Sequence, residues 1–357
     1  MSKDNLRIDS HKLIFHPNRV ADWLAGRNIY PIYLELGPSG ACNHRCRFCG
    51  FDFLGYKPDF MDVEKLTPRL HEMGRLGVKS IMYAGEGEPF LNKGMAEIVV
   101  ETKAAGIDVA LTTNAVFMKP EACEKILKST SWIKVSINAG TAETYSSVHR
   151  TDANDFNKVV ENLTVAVEIR KKQNASCILG AQILLLPENS HEVEALALLC
   201  REIGLDYLVI KPYSHQPQSK SRKYKDIVYD GYKELAEKVE SLSTDSFNVI
   251  FRLNTMKAWN EKKHEYDRCF GLPFWSHIDA RGDVWGCGVH LQDDNFLYGN
   301  IFAQTFEEIW TGEKRMKSLE WCAENLNPHN CRVNCRMDKI NSYLWELRNP
   351  GAHVNFI

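Results

Sequence analysis

The chain has 357 residues with 44% apolar content, enough for one large core or two smaller ones, which excludes global disorder. Lys and Arg number 44 against 46 Asp and Glu, a net charge of -2 without a long basic run, so neither nucleic-acid binding by counterion release nor strong attraction to a membrane is expected. No stretch approaches the roughly 20 consecutive apolar residues of a bilayer span, and Met1 to Ile8 carries no hydrophobic signal core, so a soluble, cytoplasmic protein is expected.

Met1 to Tyr30 is too short for a separate recognition domain, and Val20, Trp23 and Leu24 predict a helix packed on the larger domain after it. From Pro31 to about Leu253, short β-branched or apolar runs alternate with segments of helical period. Strands are predicted at Ile32–Leu36, Ser80–Ala84, Val109–Thr113, Trp132–Ile137, Ile178–Leu185, Tyr207–Lys211 and Asn248–Arg252. Met95, Ile98, Val99 and Thr102 form a helical stripe that stops at Gly106. Ser190 is placed to cap a helix carrying Val193, Leu196, Cys200 and Ile203, with Gly204 ending it. Six such β-then-α units predict an α/β fold, a partial (β/α)6 TIM-like barrel whose ligand face gathers the loops after each strand. Residues 31–253 form this barrel and 1–30 a packing segment. From about Asn254 the alternation stops, and 254–357 read as a second, small domain with short strands at His277–Ile278 and Asp283–Trp285 that a metal could help hold together.

Eleven cysteines, an odd number, argue against a closed disulfide framework and for metal ligation. Cys42, Cys46 and Cys49 directly follow the first strand. Three thiolates in one short loop can hold three corners of an iron–sulfur cube and leave the fourth iron open. Structural zinc, with His44 or a distant residue as fourth ligand, is the alternative. A later group comprises Cys269, Cys287, Cys322, Cys331 and Cys335, while Cys123, Cys177 and Cys200 lie in predicted core elements and read as small apolar residues.

The Cys-x3-Cys-x2-Cys spacing, with Phe48 before the last cysteine, resembles the radical S-adenosylmethionine (radical SAM) superfamily. Gly85-Glu86-Gly87-Glu88-Pro89 stands where that family receives the methionine amino group, although the usual Gly-Gly-Glu-Pro here reads Gly-Glu-Gly-Glu-Pro. Asn114, Ser136 and Asn138, at the ends of the third and fourth strands, match the family's ribose and carboxylate positions. Arg150 resembles the arginine that pairs with the methionine carboxylate. The last hundred or so residues resemble the SPASM domain or its shortened relative, twitch. The first cysteine pair and the terminal ligand of the full form are missing, which implies one auxiliary [4Fe–4S] cluster on Cys269, Cys287, Cys331 and Cys335, with Cys322 spare. A four-thiolate zinc ribbon is the other reading of these four.

The resemblance implies a [4Fe–4S] cluster that cleaves S-adenosylmethionine reductively to a 5′-deoxyadenosyl radical, which abstracts hydrogen from substrate. It implies a low-potential electron donor such as flavodoxin or ferredoxin. The polar, basic stretch from Pro212 to Lys225 makes Tyr213 and His215 candidate catalytic residues, and Arg252, at the end of a further strand, is a third, its guanidinium placed near the pocket or on the surface. Likeness to small alcohol-oxidising members with one auxiliary cluster favours dehydrogenation of a secondary alcohol on a small, sugar-like molecule: a sugar, aminocyclitol or nucleotide-linked sugar. Maturation of a ribosomal peptide by crosslinking or epimerisation, sugar epimerisation, and a non-catalytic scaffold are the alternatives.

Overall fold

The computed structural model describes residues 10–356, so the first part of the expected N-terminal packing segment lies outside the described residues. Its strands are β1 (Tyr33–Leu36), β2 (Ser80–Tyr83), β3 (Asp108–Thr113), β4 (Trp132–Ser136), β5 (Ile178–Leu185), β6 (Tyr207–Pro212), β7 (Asn248–Phe251), β8 (Trp275–Ile278), β9 (Asp283–Trp285) and β10 (Leu297–Asn300). The helices are α1 (Pro17–Leu24), α2 (Val63–Arg75), α3 (Met95–Ala104), α4 (Pro120–Ile126), α5 (Ala142–His149), α6 (Asn154–Gln173), α7 (Val193–Ile203), α8 (Lys233–Glu240), α9 (Leu253–Glu261), α10 (Phe306–Thr311), α11 (Glu313–Asn325) and α12 (Asp338–Arg348). Each predicted barrel strand forms within a residue or two of its expected bounds. Ser190 does not cap α7: it opens a 3-10 turn (Ser190–Glu192), and Gly204 ends the helix at φ +89°.

All ten strands belong to one sheet in the order β10-β9-β8-β1-β2-β3-β4-β5-β6-β7. The run from β8 through β1 to β7 is parallel, and β9 and β10 are antiparallel additions. The C-terminal segment therefore shares the barrel's sheet. β8 pairs along the whole of β1, which would otherwise present a row of unpaired backbone groups. α10 adds a second tie: its Glu307 N–H donates to Glu72 of α2 at 3.0 Å, and Arg69 of α2 donates to the Ile301 carbonyl at 2.8 Å.

Strand alternation separates two faces. Leu34, Ile81, Leu111, Ile133, Val135, Ala181, Ile210 and Phe251 join the helices in the main core, each large apolar side chain contributing about 1.5–3 kcal/mol by leaving water. The alternate positions, including Glu35, Met82, Thr112, Lys134, Gln182, Lys211 and Arg252, face the interior. Met82, Ala84 and Ala110 pack with Tyr33 and Trp132 as an apolar layer there. Gly180 is required on this face: a Cβ would lie 2.2 Å from the Tyr207 ring that crosses it.

Candidate active site

The loop after β1 carries the first cysteine set, and neighbouring strand ends hold it. Arg45 and Arg47 N–H groups donate to the His149 and Val148 carbonyls at 3.0 and 2.9 Å, fastening the loop to the end of α5. The Arg45 guanidinium folds back onto the Cys42 and His44 carbonyls at 2.6 and 2.8 Å and lies over the Tyr56 ring. Cys42, Cys46 and Cys49 are half-buried, free thiols. Burial, then the Glu88 carboxylate, pushes Cys42 up to about 12; burial and the neighbouring thiols raise Cys46, and burial raises Cys49. Three crowded thiols whose anions disfavour one another are a donor set that a cationic iron–sulfur group compensates, so the residues fit it.

His149 was not singled out from the sequence, and His44 only as a ligand for zinc. His149 Nε2 lies 2.9 Å from the Ile137 carbonyl and must donate there, so Nδ1 faces Cys46 Sγ at 3.1 Å as an acceptor. Burial, then His44, lowers His149 to about 3, and it is neutral. His44, Cys46 and His149 bring ligand atoms within 4.8 Å of one another. Phe48 packs edge-on against His149.

The turn after β2 is pressed against this loop. Gly85 adopts φ +101°, where a Cβ would come within 2.7 Å of Gly37 Cα, and a Cβ on Gly87 would lie 2.2 and 2.3 Å from the Ser39 and Ala41 carbonyl oxygens. The Glu88 N–H donates to Ala41 O at 2.8 Å. The two carboxylates part. Glu88 accepts from Thr113 Oγ1 at 2.5 Å, Asn114 N at 2.8 Å and Phe90 N at 3.1 Å, so it is a buried tie to the end of β3. Glu86 points to β8 and the turn after it: it accepts from Ala280 N at 2.8 Å and pairs with His277 Nε2 at 3.4 Å.

Asn114 Nδ2 donates to Asn43 Oδ1 at 2.8 Å, joining β3 to the cysteine loop. Ser136 Oγ accepts from Gln182 Nε2 at 2.7 Å. Asn138 sits at φ +57°, fully buried, with Oδ1 accepting from Leu184 N at 2.8 Å. Its Nδ2 lacks a partner, as do Asn43 Nδ2, Gln182 Oε1 and the Tyr145 hydroxyl. Buried polar atoms without partners are costly, and these fit a polar organic ligand beside the cysteine loop. Arg150 is exposed in the left-handed position (φ +53°) that ends α5.

Cys269, Cys287, Cys331 and Cys335 form the second set. Burial, then Cys331, raises Cys287 and Cys335 well above the ordinary thiol range. Asn341 Nδ2 and Val289 N lie 3.4 Å from the Cys269 and Cys287 sulfurs. Cys322 is buried with Leu272, Trp285 and Phe296. Cys123, Cys177 and Cys200 lie in the main core.

The loop after β6 joins the two sets. Ser219 Oγ donates to Cys49 O at 3.1 Å, and Lys220 and Ser221 N–H groups donate to Asp52 at 2.9 and 3.0 Å. On the other side Gln216 Nε2 donates to Val289 O at 2.8 Å, and Ser214 Oγ to Val333 O. His215 is half-buried and lines a cavity with Arg222, Trp259 and Arg332. Tyr213 is buried among Tyr224 and Trp259. Arg222 donates to His215 Nε2 at 2.7 Å, so Nδ1 carries the proton and donates to Tyr213 Oη at 3.0 Å; both ring nitrogens are engaged.

The description "Radical SAM superfamily" matches residues 36–200, and "Iron-sulfur cluster-binding domain", SPASM, matches residues 269–336. The chain belongs to the radical SAM superfamily. This radical SAM enzyme takes a [4Fe–4S] cluster that binds S-adenosylmethionine, and an auxiliary cluster in its SPASM domain. The chain is 25% identical over 227 residues to the GTP 3′,8-cyclase of Chlorobaculum tepidum (60% of this chain, 66% of that protein). It is 31% identical over 143 residues to the probable GTP 3′,8-cyclase of Saccharolobus solfataricus (38% and 44%). The chain thus spans less than two thirds of the length of these curated relatives. Among solved structures, Streptococcus suis SuiB bound to S-adenosylmethionine superposes with a TM-score of 0.60 at 19% identity, covering 84% of this chain and 70% of SuiB. Native anSMEcpe with bound AdoMet gives 0.57 at 17% identity, covering 87% and 88%. These likenesses are of fold. No helix among the described residues is long and apolar enough to cross a membrane.

Proposed function

We propose that this radical SAM enzyme dehydrogenates a secondary alcohol of a sugar, aminocyclitol or nucleotide-linked sugar. The observation that carries the reading is the loop after β6, hydrogen-bonded at Ser219 to the first cysteine loop and at Gln216 and Ser214 to the second. Cys42, Cys46 and Cys49 would hold the cluster that binds S-adenosylmethionine, and Cys269, Cys287, Cys331 and Cys335 the auxiliary cluster. When bound, the first group and S-adenosylmethionine would supply reductive cleavage and hydrogen abstraction, and the second group would supply an electron acceptor. The net reaction converts one alcohol and one S-adenosylmethionine to one ketone, 5′-deoxyadenosine, methionine and a proton.

In this reading the chain's own groups position and enclose. The backbone from Gly85 to Glu88 receives the methionine amino group, Asn114, Ser136 and Asn138 line the ribose side, and Arg150 pairs with the carboxylate. Tyr213 and His215 are positioning residues that stiffen the connecting loop. A flavodoxin or ferredoxin supplies the electron that starts cleavage. Reduced, anaerobically reconstituted enzyme is incubated with S-adenosylmethionine and, separately, a neutral sugar, an aminocyclitol, a nucleotide-linked sugar and a precursor peptide. Substrate-dependent 5′-deoxyadenosine with loss of two hydrogen atoms from a hydroxylated small molecule supports the reading. A crosslinked or epimerised peptide, or a sugar of unchanged mass, overturns it.

A further inference from the structure

Beside the second cysteine set stands a histidine that belongs to none of the motifs. His290 sits in the turn that follows Cys287: its N–H donates to the Cys287 carbonyl at 3.1 Å, and its own carbonyl accepts from Asp293 N at 3.2 Å. The imidazole lies flat on the Phe296 ring, with centroids 4.1 Å apart and planes 6° from parallel. Phe296 is buried, edge-on to Trp321, and its carbonyl accepts from Gly286 N at 2.8 Å, directly before Cys287. The ring is therefore held by the same turn as one cysteine of the set, and it reaches another: His290 Nε2 stands 4.0 Å from Cys331 Sγ, 41 residues along the chain. Two other sulfurs of the set meet donors, Cys269 from Asn341 Nδ2 and Cys287 from Val289 N, each at 3.4 Å. A cysteine sulfur bound to iron carries no proton, so at this contact only Nε2–H can donate and only the sulfur accept.

We propose that His290 is a positioning residue for electron acceptance: its Nε2–H donates to the Cys331 sulfur and raises the reduction potential of the auxiliary cluster. This rests on the reading that the electron left by substrate oxidation goes to that cluster, and it names the side chain that prepares the acceptor. In that step the substrate radical loses one electron and its hydroxyl proton to become the ketone, and the group on the four cysteines gains the electron. Added negative charge spreads onto the sulfurs, and a donor dipole aimed at one of them stabilises the reduced state more than the oxidised one. A donor outside the ligand set also fixes the orientation of the ligand it meets. The stack on Phe296 fixes the imidazole face, so its edge, with Nε2, is held toward Cys331. Cys331 lines the cavity of about 370 Å³ that holds His215 and Arg332. If His290 served only to plug that cavity, its removal would admit water to the sulfur, and water dipoles would favour the reduced state. The two roles therefore predict opposite signs.

The test is a potentiometric titration of the holoenzyme, both clusters loaded and S-adenosylmethionine saturating, read by electron paramagnetic resonance. Cys46→Ala protein, which keeps the auxiliary cluster alone, identifies that cluster's signal. His290→Phe keeps the stack on Phe296 and removes the donor. Its auxiliary cluster should be harder to reduce, the reduced-to-oxidised ratio at a fixed potential falling about tenfold, equivalent to about 59 mV for one electron. His290→Gln, which restores an N–H, should recover most of the shift. His191→Phe, at an exposed position in the turn before α7, should cause none. The potential of the first cluster should stay the same in all three. A second measurement needs no change at His290: with histidine alone isotope-labelled, the auxiliary signal of Cys46→Ala protein should show hyperfine coupling to a histidine nitrogen. It decides the matter should His290→Phe fail to take up the cluster. An unmoved or raised auxiliary potential in His290→Phe, or absence of the histidine coupling, overturns the inference. A lowered potential with no dehydrogenated product would keep the role of His290 at the cluster and remove the dehydrogenase reading; a dehydrogenated product with an unmoved potential would do the reverse.

Discussion

His149 holds Cys46. With Nε2–H committed to the Ile137 carbonyl at 2.9 Å, Nδ1 faces the thiol at 3.1 Å, so the end of β4 fixes the middle cysteine of the loop through one imidazole. Replacing His149 by Phe keeps the ring volume and removes both bonds. The buried carbonyl left without a donor costs about 1–3 kcal/mol. Denaturant unfolding of cluster-free protein measures this, and iron analysis after reconstitution should show loss confined to the first cluster.

The two cysteine sets should be separable. Wild-type protein, purified without oxygen, is expected to hold about eight irons and eight sulfides per chain, as two cubes require. Cys46→Ala should keep about half of that iron and lose S-adenosylmethionine cleavage entirely. Cys331→Ala should lose the other half, destabilise the C-terminal domain and stop turnover while retaining some cleavage. Zinc in place of iron, or full turnover by Cys46→Ala, would refute the assignment.

Gly87 is a steric requirement. A methyl group there would meet two backbone oxygens of the cysteine loop at 2.2 and 2.3 Å, atoms that cannot swing aside as a side chain would. Gly87→Ala should therefore destabilise by on the order of 1–3 kcal/mol and lower the iron content by displacing Cys42. Gly351→Ala, with nothing within 4 Å, is the matched control and should leave both unchanged.

The Glu86–His277 pair ties β2 to β8 and should make stability pH-dependent. Burial alone would lower His277, but the Glu86 hydrogen bond and charge outweigh it, and the imidazole is raised above its ordinary 6.5. A group raised on folding stabilises fully below its unfolded value, and that contribution is lost as pH rises through the folded value. The stability gap between wild type and His277→Gln should therefore be largest near pH 5.5 and shrink by pH 8.5, as followed by urea unfolding of cluster-free protein. A gap that grows with pH would contradict the pairing.

Much of the molecule is local and was legible as such. Strand positions follow from apolar alternation between Pro31 and Leu253, and the first cysteine set from eight consecutive residues whose spacing is itself the signal. Glu86 shows where local reading stops. It lies in the same short motif as Glu88, and only the approach of the turn after β8 and of His277 gives its carboxylate its partners. His215 likewise lies on the expected loop, and only the approach of Arg222 and Tyr213 closes its ring nitrogens.

The chain by itself thus determined which residues are strands, which cysteines group together and which superfamily motif comes after β1, because periodicity and short spacing are properties of neighbours. The tertiary structure alone decided that Arg336, on the segment after the last cysteines, meets Glu35 of β1. In sequence the two are isolated charges at opposite ends of the chain. The pairing of β8 with β1 brings the C-terminal segment against the sheet, and a carboxylate in a partly desolvated space needs a partner of opposite charge.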